Sequence, residues 1–300
     1  MSIFGTQAGY LKITEMIDFI QGNKFKGLIN IHYAPQRGPM PENYYWESVN
    51  NIAVNDYRYI KNTMDINTLK DGDVIYTHNF YVDQLFNLIK TVDVKLVVVT
   101  HNCDTTMAIT PPDNVIRWFS QNVSIVHDRV ESIPIGLEND RWFPEVHKRD
   151  KMMAKLHEER SYKELVYMNH STRTNSAKRL EPYRVLEGKP WVMSERGANG
   201  SGFDEYLDNI YNHRFVVCPE GNGMDTHRTW ECLYMGSIPI EKRNINNSFY
   251  TDLPICFVDD WEQVTIDFLV EEDERIKESV WNMDKLKFEY WKNKITNYGV

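Results

Sequence analysis

Short apolar runs alternate with amphipathic stretches along the chain, and that rhythm predicts its elements. Val74-Ile75-Tyr76-Thr77 and residues 95–100, with three consecutive valines, read as strands buried on both faces, the pattern of a parallel sheet. Residues 28–32, 115–119 and 132–135 predict further strands, and 82–89 has helical spacing. The second half repeats the rhythm. Residues 165–168, 191–193, 215–217 and 237–240 predict strands, and 172–186, 203–212 and 226–235 predict helices. Residues 271–294 predict one long charged helix with Ile276, Val280, Met283, Leu286, Phe288 and Trp291 on its inner face. Strands alternating with helices on both sides of a charged stretch at 147–160 predict an α/β fold with parallel sheets.

Length sharpens this to two units, since 300 residues exceed one domain of roughly 150 residues. We expect them at 1–150 and 151–275, with 276–300 a C-terminal helix that can pack back across both. The pattern of Trp142-Phe143-Pro144 breaks near the junction. A net charge of −9 argues against a nucleic-acid partner, which would call for a basic surface. Cys103, Cys218, Cys232 and Cys256 form no C-x-x-C pair and read as reduced, largely buried thiols, favouring a reducing compartment. The first 16 residues lack a basic and then apolar leader, and no apolar stretch approaches the ~18 residues of a membrane span. The expected location is the cytoplasm of a bacterium or of a virus-infected host, with no transmembrane segment.

Chemistry concentrates in residues 215–239, FVVCPEGNGMDTHRTWECLYMGSIP. A buried strand breaks into Pro219-Glu220-Gly221-Asn222-Gly223; Asp225 or Thr226 stands where an N-cap belongs, and Gly236 closes the helix. Backbone N–H groups and the helix dipole at such a helix start favour a phosphate. Arg228 and Glu231, at i and i+3, share one helix face. The cation suits a diphosphate and the acceptor suits a ribose hydroxyl. The same pattern also serves a plain turn and a solvated ion pair.

Pro219, Gly221, Arg228, Glu231, Gly236, Ile238 and Pro239 resemble the C-terminal signature of exostosin-like glycosyltransferases, as do Phe249-Tyr250-Thr251-Asp252-Leu253-Pro254 and Phe257-Val258-Asp259-Asp260-Trp261. The resemblance is specific over 211–264 and weaker back to 165. It departs where Glu231 replaces a common Asp and Thr226-His227 stands where a Ser often precedes the Arg, which leaves the donor sugar open. The resemblance implies the GT-B fold: two Rossmann-like domains whose parallel sheets face a central cleft, the first binding acceptor and the second nucleotide sugar. It also implies transfer from a UDP-sugar to a carbohydrate with inversion. Arg173, Glu220, Gly221, Asn222, Gly223, Thr226, His227, Arg228 and Glu231 are the expected donor-binding residues, with Arg179 a lesser candidate deeper in its helix.

A base must take the acceptor proton. Thr77-His78-Asn79 and Thr100-His101-Asn102 both end strands on the functional edge, and Cys103-Asp104 follows. Asp104 is favoured, with His101 and His78 behind it and Asp83 a further candidate; each histidine also reads as a strand-end cap. Asp71-Gly72-Asp73 precedes its strand and reads as a turn, so no metal site is expected and no cofactor is required. Tyr44-Tyr45-Trp46, Trp118-Phe119 and the proline loop at 34–42 can wall an acceptor site, although most aromatics read as core. A GDP-fucose-type transferase, a nucleotide-sugar epimerase or hydrolase, and a non-catalytic binding module remain open alternatives.

Overall fold

Residues 18–35, 60, 62–139, 148–158, 160, 165–196 and 202–299 are described by the computed structural model of the chain. Tyr44-Tyr45-Trp46, the proline loop beyond Pro35 and Trp142-Phe143-Pro144 lie outside them. The first half holds α1 (Gly22–Leu28), β1 (Ile31–His32), β2 (Val74–Thr77), α2 (Val82–Ile89), β3 (Leu96–Thr100), β4 (Val115–Ser120), β5 (Val130–Ser132) and α3 (Lys148–Leu156). The second holds β6 (Val166–Asn169), α4 (Ser176–Arg179), α5 (Glu181–Leu186), β7 (Val192–Glu195), α6 (Phe203–Asn212), β8 (Phe215–Val217), α7 (His227–Met235), β9 (Ile238–Lys242), β10 (Cys256–Val258), α8 (Ile266–Glu278) and α9 (Phe288–Thr296).

The strands form two five-stranded sheets, ordered β1-β2-β3-β4-β5 and β7-β6-β8-β9-β10, and parallel throughout. Every residue of β3 and of β6 is buried, as strands covered on both faces must be. In the second sheet the winding reverses between β6 and β8, because β7 lies on one side of β6 and β8 on the other. The crevice beyond the carboxyl ends of such a pair is where open α/β sheets bind ligands.

Four expectations change. Leu28 ends α1, and only Ile31 and His32 pair with β2, so the first strand is shorter than its apolar run. The strand expected at 132–135 sits earlier, at Val130–Ser132, paired with β4. Residues 172–186 are two short helices: Asn175 caps α4 by accepting from Lys178 N, and Pro182, which lacks an N–H, is placed in the first turn of α5. The long C-terminal helix breaks after Glu278. There the Asn282 amide donates to Asp252 O and the Trp281 indole to Ile276 O, and Val280, expected inside, is 98% exposed.

One apolar cluster runs through both halves, joining Val97, Val99 and Phe119 to Val216, Trp230, Tyr234 and Trp291. Polar links cross the same boundary. Asn246 Oδ1 accepts from Val123 N and from the Ser132 hydroxyl, both at 2.8 Å, and the Tyr250 hydroxyl meets Ser132 at 2.8 Å. The C-terminal segment lies against the first half: Phe288 packs edge-on to Phe25 at 5.2 Å, Tyr298 to Phe119 at 5.6 Å, and Lys294 pairs with Glu131.

Candidate functional site

A cleft of about 580 Å³ opens between the carboxyl ends of the two sheets. Its first wall carries Phe80, His101, Asn102, Asp104, Gln121, Ile135 and Glu138; its second carries Thr174, Arg179, Tyr206, Gly221 to Gly223, and Asp225 to Arg228 with Glu231. Thus the cleft gathers most of the residues singled out from the sequence.

Thr226 is the N-cap of α7 in extended conformation, with no side-chain cap, and Gly236 closes the helix at φ 70°. Asp225 turns away from capping by side chain. Its Oδ2 accepts from Ile135 N at 2.7 Å and its Oδ1 from the Trp230 indole at 2.9 Å, so it ties α7 to the first half. Thr226, His227 and Arg228, at the start of α7, line the cleft, and Thr229 N–H already donates to Thr226 O at 3.2 Å.

Arg228 is the second residue of α7, its guanidinium 5.0 Å over the Tyr206 ring. Its Nη1 is buried and has no hydrogen-bond partner. Glu231 is 3% exposed and accepts from the Tyr206 hydroxyl. Arg179 lines the same wall, fixed by Nε to Glu220 O at 2.9 Å and Nη1 to Ser171 O at 3.1 Å. The two guanidiniums feel each other: burial, then Arg228, pulls the Arg179 pKa down. His170 lies among them with its pKa lowered to about 3, by burial first and then by Arg228 and Arg179, so it is neutral and adds no counter-charge. Two cations beside a helix N-terminus, with one buried donor unmet, make a site shaped for an anion.

The structure separates the two arginines singled out from the sequence. Arg173 is exposed, is not among the cleft residues, and lies in the turn before α4. Arg179, ranked lower, is the one that reaches the cleft, because the break at Pro182 confines α4 to a single turn. The Glu220 carboxylate faces Asn244 at 3.0 Å and Lys178 at 3.8 Å, and its carbonyl holds Arg179. The glycines are needed for packing. A Cβ on Gly223 would stand 2.5 Å from Asn122 Nδ2, and one on Gly221 2.9 Å from Arg179 Nη2. Asn222 reaches across to Asp104 at 3.3 Å.

The three candidate bases fare differently. His78 is buried, stacked parallel to Tyr81, and is not among the cleft residues. His101 lines the cleft with both nitrogens engaged, Nδ1 accepting from Asn102 N at 2.7 Å and Nε2 facing Pro134 O at 3.0 Å. Burial lowers its pKa to about 4, which leaves a neutral ring without a free lone pair. Asp104 is exposed on the cleft wall. Asp83 is exposed on α2, with Asn87 3.4 Å away, and is not among the cleft residues.

Sequence reasoning missed Tyr206 and Glu138. Tyr206 comes from α6, with no local motif to mark it. Glu138 lies just before Trp142-Phe143-Pro144, near the expected junction of the two units. Its Oε2 faces His227 Nε2 at 3.2 Å, and His227 Nδ1 faces Gly136 O at 2.7 Å. His227 therefore turns its ring to the first half. Among the described residues no group of three or more His, Cys, Asp or Glu side chains is arranged to hold a metal, and no helix is long and apolar enough to cross a membrane.

No protein-family model matches the chain, and no curated protein sequence does. Among solved structures it is similar to the N-terminal domain of Candida albicans trehalose-6-phosphate phosphatase, at 12% identity and TM-score 0.37, over 87% of this chain and 73% of that one. It is also similar to a GtfA/B complex, at 12% identity and TM-score 0.31, over 77% of this chain and 55% of that one. Likeness at this level assigns no family.

Proposed function

We propose that the chain is a GT-B glycosyltransferase, resembling the exostosin family, that moves a sugar from a UDP-sugar to a carbohydrate acceptor with inversion and without a required metal. The observation that carries this reading is the pairing of Arg228 with Arg179 at the α7 N-terminus, where Arg228 Nη1 is buried without a partner. A diphosphate supplies what that donor lacks. Its charge grows as the sugar leaves, so the same groups stabilise the leaving group. Glu231, oriented by Tyr206, is the acceptor for a ribose hydroxyl. The acceptor sugar enters from the opposite wall, where Phe80 is 41% exposed and offers a face for a sugar ring.

Calorimetry with UDP tests the assignment. Arg228→Ala and Arg179→Ala should each weaken binding by roughly 1.5–3 kcal/mol, the range for a hydrogen bond to a charged group. Unchanged UDP affinity in both folded variants would refute the diphosphate site. Nucleotide release from the wild type with UDP-sugars but no acceptor would instead favour a hydrolase.

A further inference from the structure

The attacking hydroxyl must lose a proton as it bonds to the donor sugar, and the wall opposite the arginines must receive it. Glu138 is a carboxylate on that wall whose position is built by its neighbours. Gly136, at φ +67°, turns the chain so closely that a Cβ there would stand 2.3 Å from Ile20 O. Leu137 N then donates to Ile20 O at 2.8 Å, and Gln21 Nε2 to Glu138 O at 3.0 Å. On the carboxylate itself, Asn139 N donates to Oε1 at 3.1 Å and His227 Nε2 meets Oε2 at 3.2 Å. His227 directly precedes Arg228 in α7, so this contact spans the cleft beside the anion site. The Gly136 carbonyl, 2.7 Å from Nδ1, takes the proton of that nitrogen, so Nε2 donates to the carboxylate when the ring carries both protons. Asp104 has no comparable scaffold: it is exposed, with Asn222 at 3.3 Å.

Resting on the glycosyltransferase reading above, we propose that Glu138, held by His227, is the general base that accepts the acceptor hydroxyl's proton. The hydroxyl oxygen bonds to C1 of the sugar while the bond from C1 to the diphosphate oxygen breaks. The bonding pair leaves with UDP, whose charge meets Arg228 and Arg179. The proton moves to a Glu138 carboxylate oxygen and then to solvent. A carboxylate suffices because the hydroxyl becomes strongly acidic as its oxygen bonds to C1.

The test uses full-length protein, UDP-glucose, UDP-galactose, UDP-N-acetylglucosamine, UDP-xylose and UDP-glucuronate, an oligosaccharide pool, and azide. Glu138→Gln should keep UDP affinity by calorimetry and lose about 10²–10⁴ in transfer to oligosaccharide. Azide arrives as an anion and needs no base, so it should restore donor turnover in Glu138→Ala and give a glycosyl azide. A merely structural role would not show that rescue. Three results overturn the proposal: near wild-type transfer in Glu138→Gln, loss of transfer that azide does not restore, or loss confined to Asp104→Asn. A wild type that binds no UDP and consumes none of the five donors overturns the underlying reading, and this assignment with it. A wild type that binds UDP and transfers sugar while Glu138→Gln stays active overturns the base alone.

Discussion

Glu241 shows how burial acts on a single carboxyl. It lies under α7, with Oε1 accepting from the Thr229 hydroxyl and Oε2 from Asn247 Nδ2 at 3.1 Å. Burial, with Asp225 nearby, raises its pKa from 4.5 to about 7, and burial raises that of Asp225 from 3.8 to about 6. In both, the folded pKa lies above the unfolded one, so the fold holds protons that the unfolded chain releases. Stability is therefore greatest below the unfolded values and falls as pH climbs through the folded ones. Urea midpoints should decline from about pH 5 to about pH 8 on this account. Glu241→Gln, whose amide can donate to Thr229 Oγ1 and accept from Asn247, should flatten part of that decline. An identical slope in the variant would remove Glu241 from the explanation.

At the scale of the element, the loop between β8 and α7 is set by what it must clear. Gly223 lies against Asn122, which is itself held at φ 59° by bonds from Nδ2 to Cys103 O at 3.1 Å and from Asp225 N to Oδ1 at 2.9 Å. Asn122 cannot step aside without giving up both. Gly223→Ala should lower stability by about 1–3 kcal/mol, the usual cost of overpacking, seen as a lower thermal midpoint. A variant as stable as the wild type would mean that the loop and Asn122 yield freely. The helices around this loop carry the same lesson in reverse. Pro182 was visible in the sequence, yet its consequence, two short helices and an Arg179 that faces the cleft, depended on where the first turn of α5 would be placed.

For the whole molecule, the interface between the sheets is both apolar and hydrogen-bonded. The cluster through Val99, Phe119, Val216 and Trp230 is continuous, and Asp225, Asn246 and Tyr250 reach buried groups of the first half. Each half has a smaller apolar cluster of its own, but the large cluster is shared and is lost from either half if the other unfolds. Urea unfolding should therefore appear as one transition, with tryptophan fluorescence and far-UV circular dichroism superimposed. Two resolved transitions would show that the halves hold their cores separately.

The sequence by itself determined the class of the elements, because the period of apolar residues reports which faces are buried whatever they are buried against. It also determined the strand–glycine loop–helix unit from Phe215 to Gly236, since cap, turn and helix stop are local choices. Tertiary structure decided which arginine reaches the cleft, what engages the histidine nitrogens, and that Tyr206 orients Glu231. It also placed Glu138 opposite the anion site. Each of these is a contact between segments far apart in the chain, where distance and burial, not residue type, set the chemistry. Arg173 and Arg179 look alike in the sequence; only the packing of Arg179 against Glu220 O and Ser171 O separates them.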